Sequence, residues 1–173
     1  MEEVLLLTRR QATRPLQLAQ HWRLALRADE RTQLRGRRHC QDGQAVLLQL
    51  PRQAPLQPGE WLLPAVAATP GAADRGAPHP GVAVEVLAAA EALLQVRSSH
   101  PLALLQAAYH LGNRHVAMEI HADRLLLLHD SVLADLLERR GLELRRLRVP
   151  FCPQAGAYAG QAHSHSHASD HDH

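Results

Sequence analysis

The sequence contains no lysine; all nineteen of its Lys/Arg-type charges are arginine. That bias reads as codon usage rather than chemistry. Aromatic residues are scarce: Trp22, Trp61, Tyr109, Phe151 and Tyr158 are the whole set. The core must therefore be aliphatic, and the stacking positions of a single-strand nucleic-acid binder are missing. The net charge of +2, with histidine neutral, is too small to make nucleic acid the main partner. Cysteine occurs twice, at Cys40 and Cys152, with no CxxC pair to suggest a thiolate metal site or a redox motif. Two such isolated residues are expected to be plain thiols. No apolar run approaches the length of a membrane span. Glu2 and Glu3 stand where a secretory signal would be positive, so a soluble, cytoplasmic protein is expected. Paired carboxylates, a nucleophile–base pair and a phosphate loop are also missing, which argues against an enzyme.

Histidine, by contrast, is abundant. The last eleven residues read HSHSHASDHDH and hold His163, His165, His167, His171 and His173, with Asp170 and Asp172 among them. Such a segment has too little apolar surface to join a core, so a disordered His-rich tail is expected. Neutral imidazole is a ligand for nickel, zinc and copper. An affinity tag usually carries an unbroken histidine run, whereas this one is interleaved with Ser, Ala and Asp.

Residues 69–81, TPGAADRGAPHPG, carry three prolines and three glycines and read as a linker. The chain then divides into a β-rich domain at 1–75, a second domain at 76–155 and a flexible tail at 156–173. In the first domain, Val4–Leu7 is a short apolar run. Trp22, Leu24 and Leu26 share one face of an alternating strand. An Asp42-Gly43 turn precedes Ala45–Leu50, and Pro58-Gly59 leads into Trp61–Leu63. Short strands with turn punctuation predict a small all-β sheet or barrel. In the second domain, strand patterning around Ala92–Val96 is followed by a helix from Pro101 to Leu111, with Ser98 or Ser99 near its start and Gly112 as its stop. Strands follow at Val116–His121 and Arg124–His129, with a turn at Ala122-Asp123. A second helix covers Ser131–Arg140, capped by Asp130 or Ser131 and ended by Gly141. A last strand runs over Leu142–Val149. The order βαββαβ is the ferredoxin-like arrangement, making the whole chain α+β.

Turning the hairpin at Ala122-Asp123 sets His115 opposite Asp130 and His129 opposite Val116. Both histidines then reach the same end of one hairpin. Spacing alone leaves His115 open between a turn-bonding loop residue and a metal ligand, and His129 between a surface residue and a ligand beside a helix N-terminus. One or two histidines per chain do not make a metal site, but a two-fold homodimer would bring two copies of His115 to one axis. The largely apolar first helix offers the surface, and the tails would add ligands at high effective concentration.

The run Ala107–Val116, AAYHLGNRHV, closely resembles the signature of the UreE family of urease accessory proteins. So do Leu128–Leu133, LHDSVL, and Gly156–Gly160, GAYAG, together with the His-rich end. The stretch Glu91–Gly160 matches in order and spacing. The resemblance implies a homodimeric nickel metallochaperone that binds Ni²⁺ in the cytoplasm. It passes the ion to the accessory GTPase UreG and, through the assembly complex, to apo-urease. It also implies a β-rich, partner-binding first domain, His115 as the ligand shared across the two-fold, and His129 as a secondary metal position. Ser131 stands where some members carry a further histidine, Ala117 where many have proline, and Cys152 where an acidic residue is common. The linker is longer than usual. An imidazole-only site exchanges its ion readily, admits Zn²⁺ or Cu²⁺ in competition, and weakens below about pH 6 as imidazole takes up protons. The alternative is a nickel or zinc store in which the tail is the working part.

Overall fold

The computed structural model describes residues 4–65 and 81–155. The first sheet is built from β1 (Leu5–Gln11), β2 (Gln20–Leu26), β3 (Arg35–His39), β4 (Ala45–Gln49), β5 (Trp61–Pro64) and β6 (Val82–Ala88). Its spatial order is β2-β6-β5-β1-β4-β3. Alternation decides which side chains go inside. Leu5 and Leu7 are buried while Leu6 between them is exposed, and Trp22, Leu24 and Leu26 line the core from β2. They pack with Val46, Leu48, Leu62, Val84 and Val86 into an aliphatic cluster, as the shortage of aromatics requires. The β3–β4 hairpin closes at Asp42-Gly43, where Gly43 takes φ +82° and so supplies the left-handed residue the turn needs. Two pairings are parallel, β1 with β4 and β2 with β6.

β6 follows the linker in sequence yet belongs to the first sheet, hydrogen-bonded to both β2 and β5. The expected change of domain at 75/76 lies outside the described residues. By sheet membership the first unit extends to Ala88, and after one intervening residue β7 (Ala90–Arg97) enters the second sheet.

The second sheet holds β7, β8 (Met118–Ile120), β9 (Leu125–Leu128) and β10 (Glu143–Pro150) in the order β10-β7-β9-β8, every pair antiparallel. Helices α1 (Pro101–Gly112) and α2 (Ser131–Arg139) complete the βαββαβ order of the ferredoxin-like fold. Leu104, Ala107 and Leu111 of α1 and Ala134 and Leu137 of α2 pack on Leu94, Val96, Leu125 and Leu127 of one sheet face. The opposite face, Leu93 and Leu126, is covered by Phe151, with Ala28 of the first unit packed alongside.

The two units are also tied by polar contacts. Arg31 is buried and donates to the carbonyls of Leu26 (3.1 Å) and Phe151 (2.7 Å). The Ala28 amide donates to the buried Glu91 carboxylate at 2.8 Å. After β10 the chain passes through Phe151 to the far edge of the sheet. There the Gln154 amide donates to the Met118 carbonyl of β8 at 2.7 Å. The residues that would carry the tail therefore follow a strap anchored on β8.

Candidate metal site

The end of α1 is the point at which local structure becomes unusual. Val116 N–H donates to the Leu111 carbonyl (3.1 Å) and His115 N–H to the Gly112 carbonyl (2.9 Å). This pair of bonds is a Schellman motif, which requires a left-handed residue at the position His115 occupies. His115 takes φ +56° and is the one non-glycine residue with positive φ among the described residues. Val116, two positions past the cap, packs against the core that holds Leu111, supplying the apolar contact that accompanies the motif.

The same chain shows the unstrained version. At the end of α2, Leu142 N–H donates to Leu137 (3.2 Å) and Gly141 N–H to Glu138 (2.9 Å), and Gly141 takes φ +75°. Glycine bears that conformation without steric penalty, whereas a side chain there costs about 1 kcal/mol. Sequence reasoning assigned the α1 stop to Gly112. The structure moves it three residues on, because Gly112 keeps the helix and His115 makes the turn. Strained non-glycine residues cluster at functional sites. Here the turn carries an exposed imidazole.

His129 follows β9 directly and is exposed. Its amide donates to the Ala92 carbonyl at 2.9 Å, so the ladder still fixes its backbone. The β8–β9 register pairs Met118 with Leu127 and Ile120 with Leu125, the register expected from the hairpin. His115 precedes β8 and His129 follows β9, so both stand at the same end of that hairpin. His129 borders an open groove between the units, lined also by Arg27, Asp29, Glu91, Leu128 and Arg148. Among the described residues, no group of three His, Cys, Asp or Glu side chains within one chain is placed to hold a metal ion. His163, His165, His167, His171 and His173 lie outside the described residues.

His121 has a local role. His121 Nε2 lies 3.0 Å from Glu119 Oε2, and Glu119 Oε1 accepts from the Cys152 amide at 2.5 Å. Glu119 thus anchors the strap that leads to the tail, a role the sequence reading missed. Its signal was the two-residue spacing, which sets Glu119 and His121 on one face of a strand. His100 is the N-cap of α1 without a side-chain cap bond. Ser98 Oγ accepts from the His100 amide at 3.1 Å, so neither nearby serine caps the helix. Cys40 is buried, and burial together with the Asp42 charge pushes its thiol up to about 11. Cys152 is exposed.

The fold is a strand-rich unit locked to a ferredoxin-like unit, with the His115 imidazole exposed on a surface turn. Residues 5–64 match the model of the N-terminal domain of the UreE urease accessory protein, and residues 91–173 that of its C-terminal domain. A urease accessory protein UreE of Parasynechococcus marenigrum (strain WH8102) is 55% identical over 140 residues, covering 81% of this chain and 85% of the relative. Its counterpart in Synechococcus sp. (strain CC9311) is 52% identical, covering 82% and 83%. That of Cupriavidus necator is 44% identical, covering 84% and 68%. The chain belongs to the UreE family of urease accessory proteins, which are accessory proteins and not enzymes. No helix among the described residues is long and apolar enough to cross a membrane.

Proposed function

We propose that this chain is a nickel metallochaperone for urease, working as a cytoplasmic homodimer. His115 from each of two chains binds one Ni²⁺, which is cargo to be handed on. The observation that carries this reading is the left-handed His115, held at the end of a helix whose outward face is apolar. Leu102, Leu105 and Tyr109 on that face are each about two-thirds exposed. They follow one another at helical spacing and lead toward the His115 turn. The stripe itself carries no charged side chain to oppose its own copy. Among the described residues a single chain brings too few ligands together, and a two-fold doubles them.

His129 then serves as a secondary position, with the tail histidines collecting further ions. Family membership supports urease assembly as the destination, and UreG and apo-urease are the proposed partners. Imidazole ligands suit this task because nickel must be released as well as bound. The test is His115→Ala in the otherwise full-length chain, tail included. Delivery predicts loss of one nickel per two chains and reduced urease activation at limiting nickel. Unchanged activation with nearly unchanged capacity would mean a store and would overturn the proposal.

A further inference from the structure

Gly112 is a helical residue with no visible reason to be glycine. It closes α1 without entering the left-handed region, since His115 performs the turn. A Cβ built on it meets no atom within 4 Å, so alanine would fit the single chain. Glycine is, after proline, the poorest helix former, and an exposed helix position normally carries a better one. The remaining physical use of a bare Cα is close approach by another backbone or side chain. Gly112 lies on the outward side of α1, seven residues after Leu105 and three after Tyr109, and so continues their exposed stripe.

The geometry points to Gly112 as a positioning residue: its missing side chain lets a second copy of this chain approach closely beside the His115 turn. This rests on the homodimer proposed above and adds what sets the separation of its two imidazoles. The occupant is a second copy because the stripe itself, Leu102, Leu105, Tyr109 and Gly112, carries no charge to oppose its own image. The stripe also ends at the turn that needs a second imidazole. The methyl groups of Gly112→Ala would be added twice, once from each side of the two-fold, and would overpack a close contact.

The experiment compares full-length wild type, Gly112→Ala and Leu105→Asp, each with and without His115→Ala. Sedimentation velocity in the absence of metal gives the dimer dissociation constant. Nickel titration gives the His115-dependent increment above tail binding. Thermal unfolding is read at concentrations where chains are dissociated. Gly112→Ala is expected to raise the dissociation constant about tenfold or more and to remove the His115-dependent nickel. It should leave the unfolding temperature of the dissociated chain unchanged or higher. A lower unfolding temperature there would show that the fold itself needs the glycine and would overturn the proposal. So would a dimer as tight as wild type with its nickel retained, while loss of the dimer in Leu105→Asp would show that the homodimer still stands. Wild type that stays monomeric with and without nickel would overturn the homodimer itself, and this proposal with it.

Discussion

His115 holds the tension between stability and use in a single residue. Its backbone adopts the conformation that Gly141 adopts without strain at the end of α2. His115→Gly is therefore expected to be more stable than His115→Ala by about 1 kcal/mol, because only glycine relieves the left-handed strain. Both variants should lose the same nickel. Urea unfolding of the two side by side checks this, and equal midpoints would remove the argument from strain. The position of His115 after a helix was legible in the sequence. Its conformation was not, because Gly112 offered itself as the stop three residues earlier. The cysteines give a second residue-scale contrast. Buried Cys40, with its thiol pushed up to about 11, should resist alkylation in the native protein, while exposed Cys152 is open to the reagent. Mass spectrometry after brief iodoacetamide treatment separates the two. The sign for stability follows from linkage: the folded state holds the Cys40 proton more tightly than the unfolded chain. Its contribution is complete below about pH 9 and is lost as pH rises through about 11.

Among elements, those with strong periodicity and clear end signals were readable. Helix α2 begins where Asp130 allows, its Oδ1 accepting from the Leu133 amide at 2.9 Å, and it ends on Gly141. Asp130→Ala should cost about 1 kcal/mol through loss of that cap. The same change should loosen His129, which precedes it, and lower nickel bound at any secondary position. Equilibrium unfolding paired with nickel titration checks both, and an unchanged midpoint would show that the cap carries little. Two strands escaped the sequence for opposite reasons. β3, Arg-Gly-Arg-Arg-His, has no apolar alternation because it is the outer strand of its sheet. β6 is apolar enough, but its partners are β2 and β5, across a linker that reads as a boundary. Local pattern cannot report a pairing made over such a distance, parallel pairings least of all, since no hairpin turn announces them. The β8–β9 hairpin was legible for the converse reason, a two-residue turn that fixes its register.

At the scale of the molecule, the question is whether two small units behave as one. Each buries an aliphatic cluster of its own, and units this small gain from being joined. The joint is partly apolar, with Ala28 packed near Phe151, Leu93 and Leu126, and partly polar through Arg31 and Glu91. Arg31 is the more exacting contact. It leaves the first unit, reaches the Phe151 carbonyl of the second, and is only 5% exposed. Its other acceptor, the Leu26 carbonyl, also accepts from the Ala89 amide at 2.9 Å and would stay satisfied without it. The Phe151 carbonyl has no such second donor among the bonds described. Arg31→Met fills similar volume and leaves that carbonyl unpaired in a buried place. The cost should be about 1–3 kcal/mol, offset in part because a buried charge is removed as well. For a chain of this size that corresponds to a fall in melting temperature of roughly 2–10 °C. Arg31→Lys should recover little of it, since an ammonium lacks the planar fork that spans two carbonyls. Phe151 also begins the strap that Glu119 and Met118 hold on β8, so the loss should reach the start of the tail. Hydrogen exchange at the Cys152 and Gln154 amides reads that directly. Faster exchange there in Arg31→Met, at temperatures well below unfolding, is the expected result. Protection equal to wild type would show that the strap is held from β8 alone and that the two units are less tightly coupled than the Arg31 contacts imply.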